Sequence, residues 1–448
     1  MIRSLVGGSL TMPGILQSVL ASDALASVGP LAPPALHFPA KAKRVIFLYM
    51  SGGVSHIESF DPKPALAEAH GKPAPGLPGQ FLTAPRWQFQ RHGRSGIEVS
   101  ELFPHVGSCV DDIAVIRSLK ANHGNHFEAT LGIHTGSVTF ARPSIGSWVS
   151  YGLGTVNQNL PSFMVIAPHL PYAGGQVWAA DFLPGFHQGI RVQPGPEPIA
   201  NMTRRHGSDA EQQLELGLIQ SLNRRHLKTR ATDPNLAARI QSFETAFGMQ
   251  MAAPDAFDLS KETDATLKLY GLARGSTEGF AWQCLIARRL AERGVRFVEL
   301  IDSGANNNWD SHGDMADHAR LARNVDQPIA GLLKDLKSRG MLDDTLVVWT
   351  TEFGRTPFNG SADAKGREHH PGVYSSWLAG AGVKAGTVFG SSDEFGIGQA
   401  DRPVDTHDLH ATILHLLGID HERLTYRHAG RDFRLTDVSG NVINGLLA

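Results

Sequence analysis

Two short segments constrain the fold most. Arg44 to Met50 reads Arg-Val-Ile-Phe-Leu-Tyr-Met, and Thr345 to Thr350 reads Thr-Leu-Val-Val-Trp-Thr. Neither alternates polar with apolar residues, so neither suits a sheet with one face in water. A near-continuous apolar run of this length fits a strand covered on both faces, as in parallel sheets flanked by helices. Both runs stop abruptly, the first at Ser51-Gly52-Gly53 and the second at Glu352 and Arg355. In open α/β sheets, binding and chemistry collect at the carboxyl ends of strands.

Ile113 to Arg117, Pro161 to Ala167 and Val295 to Ile301 read as further strands. Phe127 to His134 reads as a helix closed by Gly136, and residues 315 to 339 as an amphipathic helix ended by Gly340. From about residue 208 to 293, Glu, Gln, Arg and Leu recur at helical spacing, which predicts a helical insertion over the sheet or the site. Residues 65 to 98, rich in Gly and Pro, read as an irregular loop, and residues 27 to 43 as a linker. Strands alternating with helices predict an α/β three-layer sandwich with a mostly parallel central sheet, one domain over residues 44 to 448.

A net charge of −2 with no long Lys/Arg run argues against nucleic acid as a partner. After the N-terminus there is no apolar run of about eighteen residues, so no membrane span is expected in the mature chain. Arg3, the apolar stretch from Leu5 to Leu20 and Ala24-Leu25-Ala26 together read as an export signal. The arginine pair of the twin-arginine route is absent as written. The destination expected is the periplasm or the cell surface. Cys109 and Cys284 match no zinc spacing and read as buried small residues, or as one disulfide in an oxidising compartment.

The 21 histidines raise the expectation of metal or acid–base chemistry, since neutral imidazole is the commonest metal ligand. Four polar clusters each follow a strand: His56, Glu58 and Asp61; His123, Asn125 and His126; Asp310 and His312; and Glu352, Arg355, His369 and His370. A metal site needs carboxylates and imidazoles arriving from several strand ends, because each loop supplies only a few ligands. Loop hydrogen bonding accounts for each cluster taken singly. The four together point to metal-assisted hydrolysis. His126, at a helix start, is open to three roles: nucleophile, acid/base or ligand, with Asn125 as a natural cap. Arg355 and Arg367 suit the clamping of a sulfate, phosphate or carboxylate, or a structural ion pair. Asp405, His407, Asp408 and His410 read as the polar entrance of a helix ended by Gly418.

From about residue 40 to the C-terminus, several segments resemble a known family. They include Met-Ser-Gly-Gly-Val-Ser-His-Ile-Glu-Ser-Phe-Asp-Pro-Lys-Pro, Trp-Asp-Ser-His-Gly, Thr-Glu-Phe-Gly-Arg-Thr-Pro and Gly-Arg-Glu-His-His-Pro. The family is DUF1501, exported bacterial proteins of unknown function, itself similar to the sulfatase and alkaline phosphatase superfamily. The resemblance implies an alkaline-phosphatase-like fold and metal-assisted hydrolysis of sulfate or phosphate esters, of small molecules or polysaccharides. The implied cofactor is one or more divalent ions: zinc, calcium or magnesium. Position by position, it implies Asp310, His312, Glu352 and His369 as metal ligands, with His56, Asp61 and His126 completing the site. His126 with Thr135-Gly136 marks the nucleophile region, His123 stands beside it as a catalytic candidate, and Arg355 orients the anion or Glu352. Three departures stand out. The first strand ends in Met50-Ser51-Gly52 rather than an acid, Phe353 stands where a late-strand histidine is usual, and the Cys/Ser-x-Pro-x-Arg pattern that makes formylglycine is absent. They leave open a non-catalytic binding or scaffold protein on the same fold.

Overall fold

The computed structural model describes residues 34–157, 159–200, 209–230 and 234–448. The expected export signal lies outside the described residues, as does the linker up to residue 33. Nine strands form the central sheet: β1 (Arg44–Tyr49), β2 (Ile113–Lys120), β3 (Phe163–Ile166), β4 (Ile190–Val192), β5 (Phe297–Ile301), β6 (Thr345–Thr350), β7 (Tyr374–Ala379), β8 (Thr387–Phe389) and β9 (Val404–Asp405). Their order is β8-β2-β7-β6-β1-β5-β3-β4, with β9 also on β2. β1 lies at the centre, parallel to both β5 and β6. β7 alone runs against its neighbours, β2 and β6. The sheet is thus mostly parallel.

Both expected central strands are buried on both faces. Ile46 and Leu48 point to one side, where they meet Val298, Val347 and Trp349 from the neighbouring strands. Val45, Phe47 and Tyr49 point to the other, among Phe297, Leu346 and Val348. The first side is covered by α5 (Asp264–Tyr270), α6 (Gly279–Glu292) and α7 (Asp317–Ser338). The second is covered by α1 (His126–Thr135), α2 (Ile145–Leu153) and α8 (Thr406–Leu416). Each fully buried Leu, Ile or Phe in these layers contributes about 1.5–3 kcal/mol, which explains why such strands carry no polar alternation.

The stretch read as one helical insertion divides into α3 (Asp209–Thr229), α4 (Pro234–Phe257), α5 and α6. α6 is embedded in the core through Phe280, Leu285, Ile286 and Leu290. Residues 65 to 98 are not wholly irregular: Phe89–His92 pairs with Ile97–Ser100 in a short antiparallel ribbon. Cys109 and Cys284 are free buried thiols, not a disulfide. Among the described residues, no helix is long and apolar enough to cross a membrane.

Candidate metal centre

The site forms where β1, β5 and β6 end. β1 runs into Gly52 and Gly53, which take φ values of +111° and +81°. A side chain at Gly52 would meet Asn308 and the Trp309 nitrogen at 2.7 Å, so only glycine fits this turn. Here the tight turn replaces the acid expected at the end of the first strand. The Gly52 N–H donates to Glu352 Oε1 at 2.8 Å. The Gly52 and Gly53 carbonyls both accept from the Arg355 guanidinium.

Glu352 is fully buried, and both oxygens are in use. Oε1 also accepts from His126 Nδ1 at 2.7 Å. Oε2 accepts from the Tyr49 hydroxyl at 2.9 Å and lies 3.0 Å from Thr351 Oγ1. Burial favours a neutral Glu352, but the His126 ring and the hydroxyl donors outweigh it and lower its pKa. Glu352 is therefore a carboxylate behind His126, with no lone pair turned outward.

His126 opens α1, where the Asn125 side chain caps the helix by accepting from the Phe127 N–H at 3.0 Å. Its ring lies flat against Tyr172, with centroids 4.1 Å apart and planes 5° apart, and Phe353 packs beside it at 4.8 Å. With Nδ1 donating to Glu352, Nε2 carries the lone pair. That atom is buried, makes no hydrogen bond and lies 3.2 Å from Asp310 Oδ2.

Two further imidazoles repeat this arrangement. His369 donates from Nδ1 to the Gly124 carbonyl at 2.8 Å, leaving Nε2 3.2 Å from Asp310 Oδ1. His312 places Nδ1 2.7 Å from a Glu368 oxygen and Nε2 2.8 Å from the same Asp310 oxygen. The two Nε2 atoms stand 3.0 Å apart. With an oxygen beside each Nδ1, the tautomers that keep their proton on Nδ1 turn three Nε2 lone pairs toward one carboxylate. Arg355 Nη2 donates to that carboxylate from the side, at 2.6 Å from Oδ1.

Three imidazole lone pairs and a carboxylate facing one another repel unless a cation or added protons stand among them. Anchoring a histidine through its far nitrogen is how metal-ligating imidazoles are oriented. His126, Asp310 and His369 have ligand atoms within 4.8 Å of one another, and His312 joins them through Asp310. The donor set fits a divalent ion. Burial opposes ionisation of Asp310, but Nε2 protons on His126 and His369, where present, together with Arg355, outweigh it and hold its pKa far below the usual carboxylate range; a divalent ion in the place of those protons meets the same carboxylate. Burial likewise disfavours a charged His126, yet Asp310 and Glu352 raise its pKa. The cluster is reachable from solvent, since the His312 side chain is 41% exposed.

The other expected site residues lie elsewhere. Arg355 is 0% exposed and donates to Gly52, Gly53, Arg367 and Asp310, so it is turned inward, holding the carboxylate rather than facing a ligand anion. His56 stacks on His370 at 5.9 Å and bonds the Gly396 carbonyl, with burial lowering its pKa well below the usual value. Asp61 is buried beside Lys63, at 2.8 Å, and accepts from Ser392. Neither reaches Asp310. His123 accepts from the Asn125 N–H at 3.1 Å in the turn before α1. Arg367 pairs with buried Glu58 at 2.8 Å, as a structural ion pair would. His407 and His410 bond the Gly136 and Ile133 carbonyls and serve α1.

Sequence reasoning missed Tyr49, Tyr172 and Glu368. Glu368 had a signal, adjacency to His369-His370. Tyr49 had a weaker one, a polar tip at the end of an apolar strand. Tyr172 sits in a loop that carries no motif.

The chain belongs to the family described as Protein of unknown function (DUF1501), whose model matches residues 42–447. Comparison with proteins of curated function gives no match. Similar solved structures include a lipoteichoic acid synthase from Listeria monocytogenes, at 9% identity and TM-score 0.38, covering 91% of this chain and 78% of that one. A phosphonate monoester hydrolase from Silicibacter pomeroyi has 12% identity and TM-score 0.38, covering 90% and 76%. The alkaline phosphatase from the Antarctic bacterium TAB5 has 11% identity and TM-score 0.36, covering 86% and 99%. TM-scores this low mark a loose likeness, and the site's own geometry is what bears on function.

Proposed function

We propose that the chain is an exported, metal-dependent hydrolase of sulfate or phosphate esters, with His126, Asp310, His312 and His369 holding one divalent ion. The observation that carries this is the convergence of three far-side-anchored imidazoles on a single carboxylate. A nitrogen-rich set of this kind suits zinc better than calcium or magnesium, which prefer oxygen ligands. When bound, such an ion polarises an ester oxygen and acidifies a water.

The chain's own residues do the rest. Glu352 fixes the His126 tautomer, and Gly124 and Glu368 do the same for His369 and His312. Arg355 holds Asp310 ionised and in place. Tyr172 and Phe353 shield the His126 ring and keep water from its flanks. A second reading, a non-catalytic metal-binding or scaffold protein, draws support from Arg355, whose guanidinium is turned inward rather than toward an ester anion.

A panel of aryl sulfates and aryl phosphates separates the two. The zinc-loaded full chain is expected to hydrolyse at least one of them, with His369→Ala removing turnover while leaving the fold intact. Stoichiometric zinc with no turnover on any ester supports the scaffold reading instead.

A further inference from the structure

A cleft of about 1080 Å³ opens where β3, β4 and β5 end, separate from the metal ligands. Its walls are the segment after β3, the segment after β5 and the start of α6. The first two are stapled together: the Ala305 N–H donates to the Leu170 carbonyl at 3.0 Å, and a Cβ at Gly304 would meet His169 at 2.6 Å.

Three features of this cleft have bonding capacity to spare. Gln283 is 1% exposed, borders the cleft, and its Oε1 is buried without a hydrogen bond. An orphaned buried acceptor is unfavourable, so a donor is wanted there. Arg191 and Arg320 also border the cleft, and among the described residues neither has an ion pair with a carboxylate. Burial alone acts on the Arg191 guanidinium, which reaches only the Ala167 and Pro168 carbonyls, at 2.9 and 3.0 Å. Finally, the 14-residue helix α6 begins here with Glu278 making no side-chain cap, so its first amides add positive potential.

Two carboxylates border the cleft as well. Asp302 is turned away, accepting from the Ser51 and Ser303 amides and from Trp309 Nε1, and burial pushes it up to about 6. Glu278 is exposed at the rim. The remaining polar lining is His169, Ser303 and the side-chain amides of Gln193, Asn306, Asn307 and Asn324, which suit hydroxyl groups.

We propose that this cleft is a binding site for an anion that carries hydroxyl groups, of the sugar phosphate or sugar sulfate class. Arg191, Arg320 and the α6 amides take the anion, and the Gln283 side-chain amide, which borders the cleft, bonds a hydroxyl. The claim goes beyond the metal centre and does not need it, because none of the metal ligands borders the cleft.

Calorimetric titration of the full chain in EDTA tests it, with glucose 6-phosphate and glucose 6-sulfate as probes against glucose and inorganic phosphate. At least one hexose ester is expected to bind at least tenfold more tightly than either control. The better of the two names the anion. Arg320→Ala and Gln283→Leu should each weaken it at least tenfold, and Gln283→Leu should melt no lower than wild type because it removes an orphaned acceptor. Failure of both esters to bind overturns the proposal. So does inorganic phosphate binding as tightly as the esters, or unchanged affinity in both variants. Retained binding in EDTA keeps the result independent of the fate of the metal reading.

Discussion

Glu352→Gln is the substitution that most sharply tests how the imidazoles are held. In the wild type, Oε1 accepts from His126 Nδ1 at 2.7 Å and from the Gly52 amide at 2.8 Å. Glutamine retains one acceptor oxygen of nearly the same shape, so both bonds survive as neutral ones. The amide nitrogen then faces Tyr49 and Thr351, whose hydroxyls turn to accept. A bond to a charged group is worth about 1 kcal/mol more than its neutral counterpart, so two weakened bonds come to about 2 kcal/mol. Only the part of this that differs between empty and loaded site reaches zinc affinity, and far-side partners of ligating imidazoles are worth about 10–100-fold, so a loss of about tenfold or more is expected. Global stability should move by no more than about 2 kcal/mol, because the substitution also removes the cost of burying a charge. Competition against a chromophoric zinc chelator near neutral pH measures the first quantity, and urea unfolding of the metal-free protein the second. Zinc affinity within about twofold of wild type, in a protein that still folds, would refute the orienting role of Glu352.

Three other outcomes follow from the same geometry. Gly366→Ala places a Cβ against the His312 carbonyl, which is backbone and cannot swing aside; the His312 loop must shift, lowering zinc affinity by about tenfold or more in the same assay. Arg367→Met leaves Glu58 buried and unpaired and should cost about 3–5 kcal/mol in urea unfolding, with Glu58→Gln in the same chain recovering part of it. His410 is fully buried, and burial, with His407 adding to it, lowers its pKa from 6.5 to about 3. The folded protein therefore resists protonating a ring that the unfolded chain protonates freely, so this group erodes stability as pH falls below 6.5, by about 1.4 kcal/mol per unit until about pH 3. His410→Gln, which keeps a donor for the Ile133 carbonyl, should flatten that acid limb, and an unchanged limb would exclude His410 as its source.

Much of the fold was legible because burial on both faces leaves a strong mark. β1 and β6 carry that mark, and the caps of α1 at Asn125 and Gly136 are chemically explicit. β7 was not legible as a strand. Its Ser375 and Ser376 are buried, and Ser376 satisfies its hydroxyl on the Trp349 carbonyl, so polarity concealed a central element. At the site, the loops singled out in the sequence bring His126, Asp310, His312 and His369 together, while Glu352 and Arg355 take positions other than those expected. Arg355 and Glu352 look like outward-facing functional groups in one dimension. The Gly52-Gly53 turn draws both inward, and a turn's direction depends on φ values that no motif spelled out. Asp61 and His56 follow the same strand end yet diverge to partners near Ser392 and Gly396, contacts more than three hundred residues away in the chain.

The most direct test of the central claim is the metal content of the full chain after zinc loading and desalting, measured by inductively coupled plasma mass spectrometry. About one zinc per chain is expected, and the His312→Ala/His369→Ala double variant should lose it while keeping the wild-type circular dichroism spectrum. A wild type that holds no stoichiometric metal, or a folded double variant that holds as much as the wild type, contradicts the convergence of His126, Asp310, His312 and His369 as a metal centre.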